Sequence, residues 1–210
     1  MRTITKKIKY NFYNDYLTNS NFKQKFDIRL NEIKNRFNLN LKEIELVQEY
    51  FVEIFSWTVI PKDILKLLHY NIKNKNNNIE GIIDPCCGNS FHSYLFTEFC
   101  NLKSISIDIQ NEPNSWIDII EIDALEYLKD IDNSKIDNYI LLLSWIDYEE
   151  LGIKLLDLYK GNIVISIGNY YQHKSFKYLN KLQKEYELIQ KIKIKMPWGL
   201  DEFIELYFRK

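Results

Sequence analysis

Two carboxylates and a run of small residues between them are the part of this sequence best suited to chemistry. Gly81-Ile82-Ile83-Asp84 ends on an acid, Pro85-Cys86-Cys87-Gly88-Asn89-Ser90 follows as a loop of small side chains, and Ser104-Ile105-Ser106-Ile107 ends on a second acid, Asp108. Asp108 comes 24 positions after Asp84, close to the ~20-residue gap at which an acidic strand end meets a ribose hydroxyl in doubly wound folds. The pattern implies an adenosine-type ligand. Only Gly88 of the three glycines in G-x-G-x-x-G is present, which disfavours a dinucleotide, and no G-x-x-x-x-G-K-[ST] is found, which excludes a P-loop.

These residues need a sheet to hold them. Short runs of β-branched and Leu residues predict strands over Ile79 to Asp84, Ser104 to Asp108, Ile117 to Ile122, Tyr139 to Ser144 and Asn162 to Gly168. Helices are expected between them over Ser90 to Cys100, Ala124 to Asp130, Glu149 to Tyr159 and Lys174 to Glu185. That alternation makes a parallel sheet covered on both faces. The end of the chain departs from it, because Tyr186 to Met196 and Phe203 to Arg209 are two strands joined only by a turn containing Pro197-Trp198-Gly199. Strands so joined form an antiparallel hairpin. A Rossmann-like, mostly parallel α/β sheet closed by one hairpin is the layout of class I S-adenosylmethionine-dependent methyltransferases.

Upstream, Phe26, Leu30, Ile33 and Phe37, then Ile44, Val47, Phe51 and Ile54, recur at helical spacing. Pro61-Lys62-Asp63 starts a further helix, and the polar run Asn71 to Asn78 ends it. The expected organisation is a helical N-terminal extension over 1–70, packed on a methyltransferase-like α/β domain over 71–210.

Bulk properties bound the remaining possibilities. A chain of 210 residues, 46% hydrophobic and 27% charged, suits one globular core with an extension. With 28 basic against 29 acidic residues the net charge is −1, so attraction to nucleic acid has to be local. The N-terminal segment, where Arg2, Lys6, Lys7, Lys9, Lys23, Lys25, Arg29, Lys34 and Arg36 interleave with Tyr10, Phe12, Tyr13 and Tyr16, could guide RNA or DNA, although a solvated, Lys-rich helical face is the commoner meaning of such a run. Three cysteines, two of them adjacent, do not make a disulfide framework, so a reducing compartment, cytoplasmic or nuclear, is expected. No apolar run approaches the ~20 residues of a membrane span, and no metal site is expected.

Within this layout the strand ends take roles. Asp84 would hold the ammonium of the cofactor's methionine end, Gly88 lets the backbone turn close to it, and Ser90 opens a helix whose free N–H groups face it. Asp108 would accept from both ribose hydroxyls. Asp123 and Ala124 meet the adenine amino group and ring edge, and Cys86 and Ile109 complete the cofactor set. After the fourth strand, Ser144 and Trp145 border the place where the acceptor meets the methyl group. Asp147 and Tyr148 are the candidate catalytic proton acceptors. In-line displacement at a sulfonium needs mainly positioning.

The same residues resemble a methyltransferase-like family of eukaryotic and viral type. Phe55-Ser56-Trp57-Thr58-Val59-Ile60-Pro61 is similar to its Trp-x-Ile-Pro motif, and Asp84 to Ser90 to its small-residue loop. Asp108, Trp116, Leu142-Leu143-Ser144-Trp145, Tyr159-Lys160-Gly161 and Ile167-Gly168 follow in the family's order. The likeness runs from Trp57 to Arg209 and implies S-adenosylmethionine as cofactor without naming a methyl acceptor, whether small molecule, protein or nucleic acid. Ser90 stands at the family's second glycine, Ile146-Asp147 at its paired prolines, and Asn169 at its glutamate after Gly168. Those departures motivate an alternative, a catalytically inactive binding or scaffold protein on the same fold. A third reading is thiol chemistry at Cys86 and Cys87, which precede a helix N-terminus with His92 nearby.

Overall fold

A computed structural model describes residues 4–7, 12–38, 48–111, 113, 115–146, 149–170, 175–196 and 201–210. The strands are β1 (Ile4–Lys7), β2 (Gly81–Pro85), β3 (Lys103–Asp108), β4 (Ile120–Glu121), β5 (Tyr139–Ser144), β6 (Ile163–Gly168), β7 (Tyr186–Lys195) and β8 (Asp201–Arg209). The helices are α1 (Ser20–Phe37), α2 (Gln48–Ile54), α3 (Lys62–Lys75), α4 (Phe91–Cys100), α5 (Ala124–Asp130), α6 (Asn133–Ile136), α7 (Glu149–Leu158) and α8 (Phe176–Glu185).

All eight strands join one sheet in the order β1-β7-β8-β6-β5-β2-β3-β4. Its central strands β6, β5, β2 and β3 are parallel, and β8 runs antiparallel to both β6 and β7. Side chains alternate between faces, as period-2 strands require. Ile82, Ile140, Leu142, Ile163 and Ile165 pack toward the N-terminal helices and α4. Ile83, Leu141, Leu143 and Val164 pack toward α5, α7 and α8. With both faces covered, the strands read as continuous apolar runs.

Three expectations change in the structure. The stretch Ile117 to Ile122 yields only the two-residue β4: the Ile117 N–H donates to the Ser90 hydroxyl at 3.0 Å, and its C=O accepts from the hydroxyls of Ser115 at 2.7 Å and Ser90 at 3.0 Å, so side chains occupy the groups a neighbouring strand would use. The polar run from Asn71 does not end α3, which continues to Lys75: Ile72 is buried, and Asn71 donates to Gln190 Oε1 at 2.8 Å. Tertiary contacts there outweigh the low helix propensity of Asn. Ile4–Lys7 pairs in parallel with Ile192–Lys195, giving the sheet an outer strand from the start of the chain.

Residue 70, the expected limit of the N-terminal extension, falls inside α3. Phe22 and Phe26 of α1 and Phe55 after α2 belong to the same buried cluster as Trp116 and the strand residues Ile82 and Ile140. Trp116, 1% exposed, donates from its indole N–H to the Ile54 carbonyl at 2.7 Å. Among the described residues no helix is long and apolar enough to cross a membrane.

Candidate active site

The site forms at the C-terminal ends of β2, β3 and β5, where ligands bind in open α/β sheets. β2 ends at Pro85 and the chain turns at once through two left-handed residues, Cys86 (φ 60°) and Gly88 (φ 54°). Ser90 is also left-handed (φ 58°) and starts α4. The loop is pinned at several points. Cys87 N–H donates to the Ile107 carbonyl at 3.0 Å, Gly88 N–H to Asp108 Oδ2 at 2.9 Å, and Phe91 N–H to Asn89 Oδ1 at 3.1 Å. A Cβ added at Gly88 would meet no atom of the described residues within 4 Å, so this backbone faces open space among them.

Asp84 is 1% exposed and accepts from the Ser93 hydroxyl on α4 at 2.7 Å through Oδ2. Its other oxygen, Oδ1, is buried with no hydrogen-bond partner among the described residues. Burial pushes the Asp84 carboxyl up to about 7, opposed by the Ser93 hydroxyl and, more weakly, the Ser93 backbone N–H, and reinforced by Asp108. An orphaned carboxylate oxygen of this kind costs about 1–3 kcal/mol unless a ligand supplies a donor.

Beside this loop lies a cleft of about 280 Å³. Asp84, Cys86, Gly88, Ser144 and Trp145 line it, so it gathers five of the residues expected at the cofactor site. Asp108, half-buried, holds the loop's outer edge, and Ile109 beside it is 67% exposed. Asp123 caps α5, with Oδ1 accepting from Leu125 N–H at 2.8 Å and Glu126 N–H at 3.1 Å, while Ala124 is buried behind it. Ser90 does not reach the cleft. It is fully buried, and its hydroxyl ties the start of α4 to Ile117. Asp147 and Tyr148 lie outside the described residues.

The other wall comes from the N-terminal region and was not legible in the sequence. Arg29, Glu53, Ser56 and Trp57 all line the cleft. Arg29 belongs to the basic run that could guide RNA or DNA, yet it is 9% exposed and donates to the Glu53 carbonyl at 2.8 Å and the Pro113 carbonyl at 3.3 Å. Tyr16 likewise sits in the core, donating to the Ile60 carbonyl at 2.5 Å. Of the other basic residues, Lys23 and Arg36 are exposed on α1, Lys6 and Lys7 lie on β1, and Arg2 and Lys9 fall outside the described residues.

Trp145 follows β5 in the left-handed region (φ 52°), costly for a bulky side chain. Its backbone N–H donates to the Ile167 carbonyl at 3.0 Å and its indole N–H donates to Thr58 Oγ1 at 2.6 Å, which helps to hold it there. Thr58 Oγ1 donates in turn to the buried Glu202 at 3.4 Å. The indole of Trp57 stacks on Trp145 with ring centres 5.3 Å apart.

Thiol chemistry is disfavoured. Partial desolvation and the nearby Asp84 and Asp108 raise the half-buried Cys87 thiol, and the same causes raise Cys86, where the two acids weigh more because its side chain is exposed. High thiol pKa values leave little thiolate at neutral pH. His92 is buried, and burial lowers its pKa to about 4. Its Nε2 lies 2.7 Å from the Thr58 carbonyl, which a neutral ring satisfies only by carrying its proton on Nε2. That nitrogen is therefore no base for the Ser56 hydroxyl 3.1 Å away.

No protein-family model and no curated protein matches the sequence. Among solved structures the chain is similar to magnesium protoporphyrin IX methyltransferase of Synechocystis PCC 6803. With bound SAM, that structure is 15% identical, 96% of this chain and 97% of that chain are covered, and the TM-score is 0.53. With bound SAH the identity is 15%, the coverage 96% and 100%, and the TM-score 0.51. The likeness is one of fold. The chain has the class I S-adenosylmethionine-dependent methyltransferase fold, with an additional edge strand, β1, beside the closing hairpin.

Proposed function

We propose that the chain is an S-adenosylmethionine-dependent methyltransferase whose cofactor lies across the Asp84 to Ser90 loop. The observation that carries this reading is the orphaned Asp84 Oδ1 beside an open cleft floored by Gly88. A buried carboxylate oxygen lacking a donor suits the ammonium of the methionine end, and a Cβ-free, left-handed residue lets a ligand lie against the backbone.

The bound cofactor would supply a methyl group on a sulfonium for in-line transfer. The chain's own residues bind and orient. Asp84 takes the ammonium. Asp108 takes the ribose hydroxyls while holding Gly88, and the exposed Ile109 packs on the adenine. Asp123 has its second oxygen for the adenine amino group, because the helix cap uses only Oδ1. Ser144 and Trp145 border the acceptor, and Asp147 or Tyr148 receives its proton. The free thiols Cys86, Cys87 and Cys100 support a reducing intracellular compartment.

Thermal unfolding with added S-adenosylmethionine or S-adenosylhomocysteine tests the proposal. Ligand bound only to the folded state stabilises it by about 2.7 kcal/mol at a concentration 100 times Kd. A melting temperature unmoved by millimolar amounts of either compound would favour the scaffold reading instead.

A further inference from the structure

From the pairing of Trp57 with Trp145 we infer a stacking subsite for the methyl acceptor, which takes a planar nitrogenous ring of nucleobase type against the outer face of Trp57. The inference rests on the methyltransferase reading for the word acceptor, and on the geometry alone for the ring.

Four observations carry it. Trp57 is 45% exposed within a cleft, although the apolar residues around it, Phe55, Val59 and Ile60, and Thr58 are buried. An exposed indole loses hydrophobic stabilisation that a ligand would restore. The rings of Trp57 and Trp145 are nearly parallel, 28° apart. A parallel pair continues by adding another flat ring, whereas a cage for an alkylated ammonium needs walls around the cation.

The lower ring is rigid. Trp145 keeps a costly left-handed backbone, fixed by Ile167 and Thr58, so the platform does not have to be ordered when a ligand arrives. The cleft also gathers polar residues suited to a base edge: Ser56, Ser144 and Glu53 line it with the two tryptophans, Ser56 keeping acceptor capacity while its hydroxyl donates to the Thr58 carbonyl.

Topology separates this ring from the cofactor's own adenine. β5, which leads into Trp145, lies on one side of β2, and β3, which ends at Asp108, lies on the other. The indole pair and the ribose-binding acid therefore flank the Asp84 loop from opposite sides.

Isothermal titration tests the subsite on the full chain. S-adenosylhomocysteine is titrated first, alone, so that failure of the methyltransferase reading is seen separately. Adenosine, guanosine, cytidine, uridine and a short single-stranded oligonucleotide are then titrated with S-adenosylhomocysteine present, or into the free protein if it does not bind. Ribose 5-phosphate, catechol and tetramethylammonium serve as controls. At least one nucleoside or the oligonucleotide is expected to bind, roughly 5- to 150-fold more weakly in Trp57→Ala. Trp57→Phe should keep most of that affinity, with circular dichroism confirming that both variants fold. A free nucleoside binding as tightly as the oligonucleotide assigns a small-molecule acceptor. Tighter, salt-dependent binding of the oligonucleotide assigns a base presented by a strand. The inference is overturned if no base-bearing probe binds, if catechol or tetramethylammonium binds instead, if S-adenosylhomocysteine displaces every base-bearing probe, or if Trp57→Ala binds like the wild type.

Discussion

Asp108 Oδ2 accepts a hydrogen bond from the backbone N–H of Gly88 at 2.9 Å. The acid that ends β3 thus holds the loop that follows β2. That bond explains why two carboxylates 24 residues apart act as one unit. β2 and β3 pair in register, Asp84 beside Ser106 and Pro85 beside Ile107, so Asp108 reaches the loop directly from the end of the neighbouring strand.

Asp108→Ala should separate binding from stability. The Gly88 N–H it releases is solvent-accessible, so the loss of folding stability is expected to stay below about 1 kcal/mol. Removing a charged acceptor for ligand hydroxyls should weaken cofactor binding roughly 10- to 100-fold. Urea unfolding beside a binding titration reads both, and a variant that loses stability but keeps affinity would contradict the assigned role.

Gly88→Ala probes the open space over the loop. At φ 54° an L-residue costs about 1–2 kcal/mol, and the new Cβ meets no atom of the described residues within 4 Å. The protein should therefore fold with that modest penalty, while cofactor affinity falls more than about 10-fold as the methyl group occupies the ligand's path. Unchanged affinity would place the ligand elsewhere.

The buried Asp84 and His92 should leave opposite marks on stability against pH. Asp84 titrates near 7 when folded, above its unfolded value near 3.8, so the folded state holds the extra proton and stability falls as pH rises from about 4 to 7. His92 titrates near 4, below its unfolded value near 6.5, so its contribution rises with pH from about 4 to 6.5. They amount to roughly 4 kcal/mol for Asp84 and roughly 3 kcal/mol for His92, and over the shared window they oppose one another. Asp84→Asn should leave stability climbing between pH 4 and 6.5, and His92→Gln should leave it falling between pH 4 and 7. Urea midpoints at several pH values decide this, and parallel profiles for the two variants would refute it.

Trp116→Ala should destabilise the whole chain by about 3–5 kcal/mol, since the ring is buried among Phe22, Phe55, Phe91 and Tyr94. These neighbours come from α1, the segment after α2, and α4, so one transition is expected by far-UV and near-UV circular dichroism. Two separate transitions would mean that the N-terminal helices fold apart from the sheet.

Much of the fold was legible because its signals are local. Tyr139 to Ser144 and Ala124 to Asp130 appear with the boundaries their sequences imply, the first as a consecutive apolar run, the second behind an Asp cap. Asp84, Gly88 and Asp108 were readable for the same reason: strand ends and small-residue loops announce themselves in a single segment. What escaped depends on distant contacts. Arg29 and Glu53 look like ordinary helix-surface charges until α1 and α2 pack against the β2 loop. Ser90 looks like a residue in the ligand's path until its hydroxyl is seen on Ile117, 27 residues away. The strand at Ile4–Lys7 is too short, and half lysine, to stand out before β7 is there to pair with it.

Calorimetric titration of S-adenosylhomocysteine into the wild-type protein at pH 6 and pH 8, in buffers of differing ionisation enthalpy, tests the central claim most directly. If Asp84 meets the ligand's ammonium, saturable one-site binding is expected, tighter at pH 8. At pH 6 it should release close to one proton from Asp84, and this release should be lost in Asp84→Asn. Absence of binding heat at millimolar ligand, or binding of equal strength and without proton release at both pH values, would contradict it.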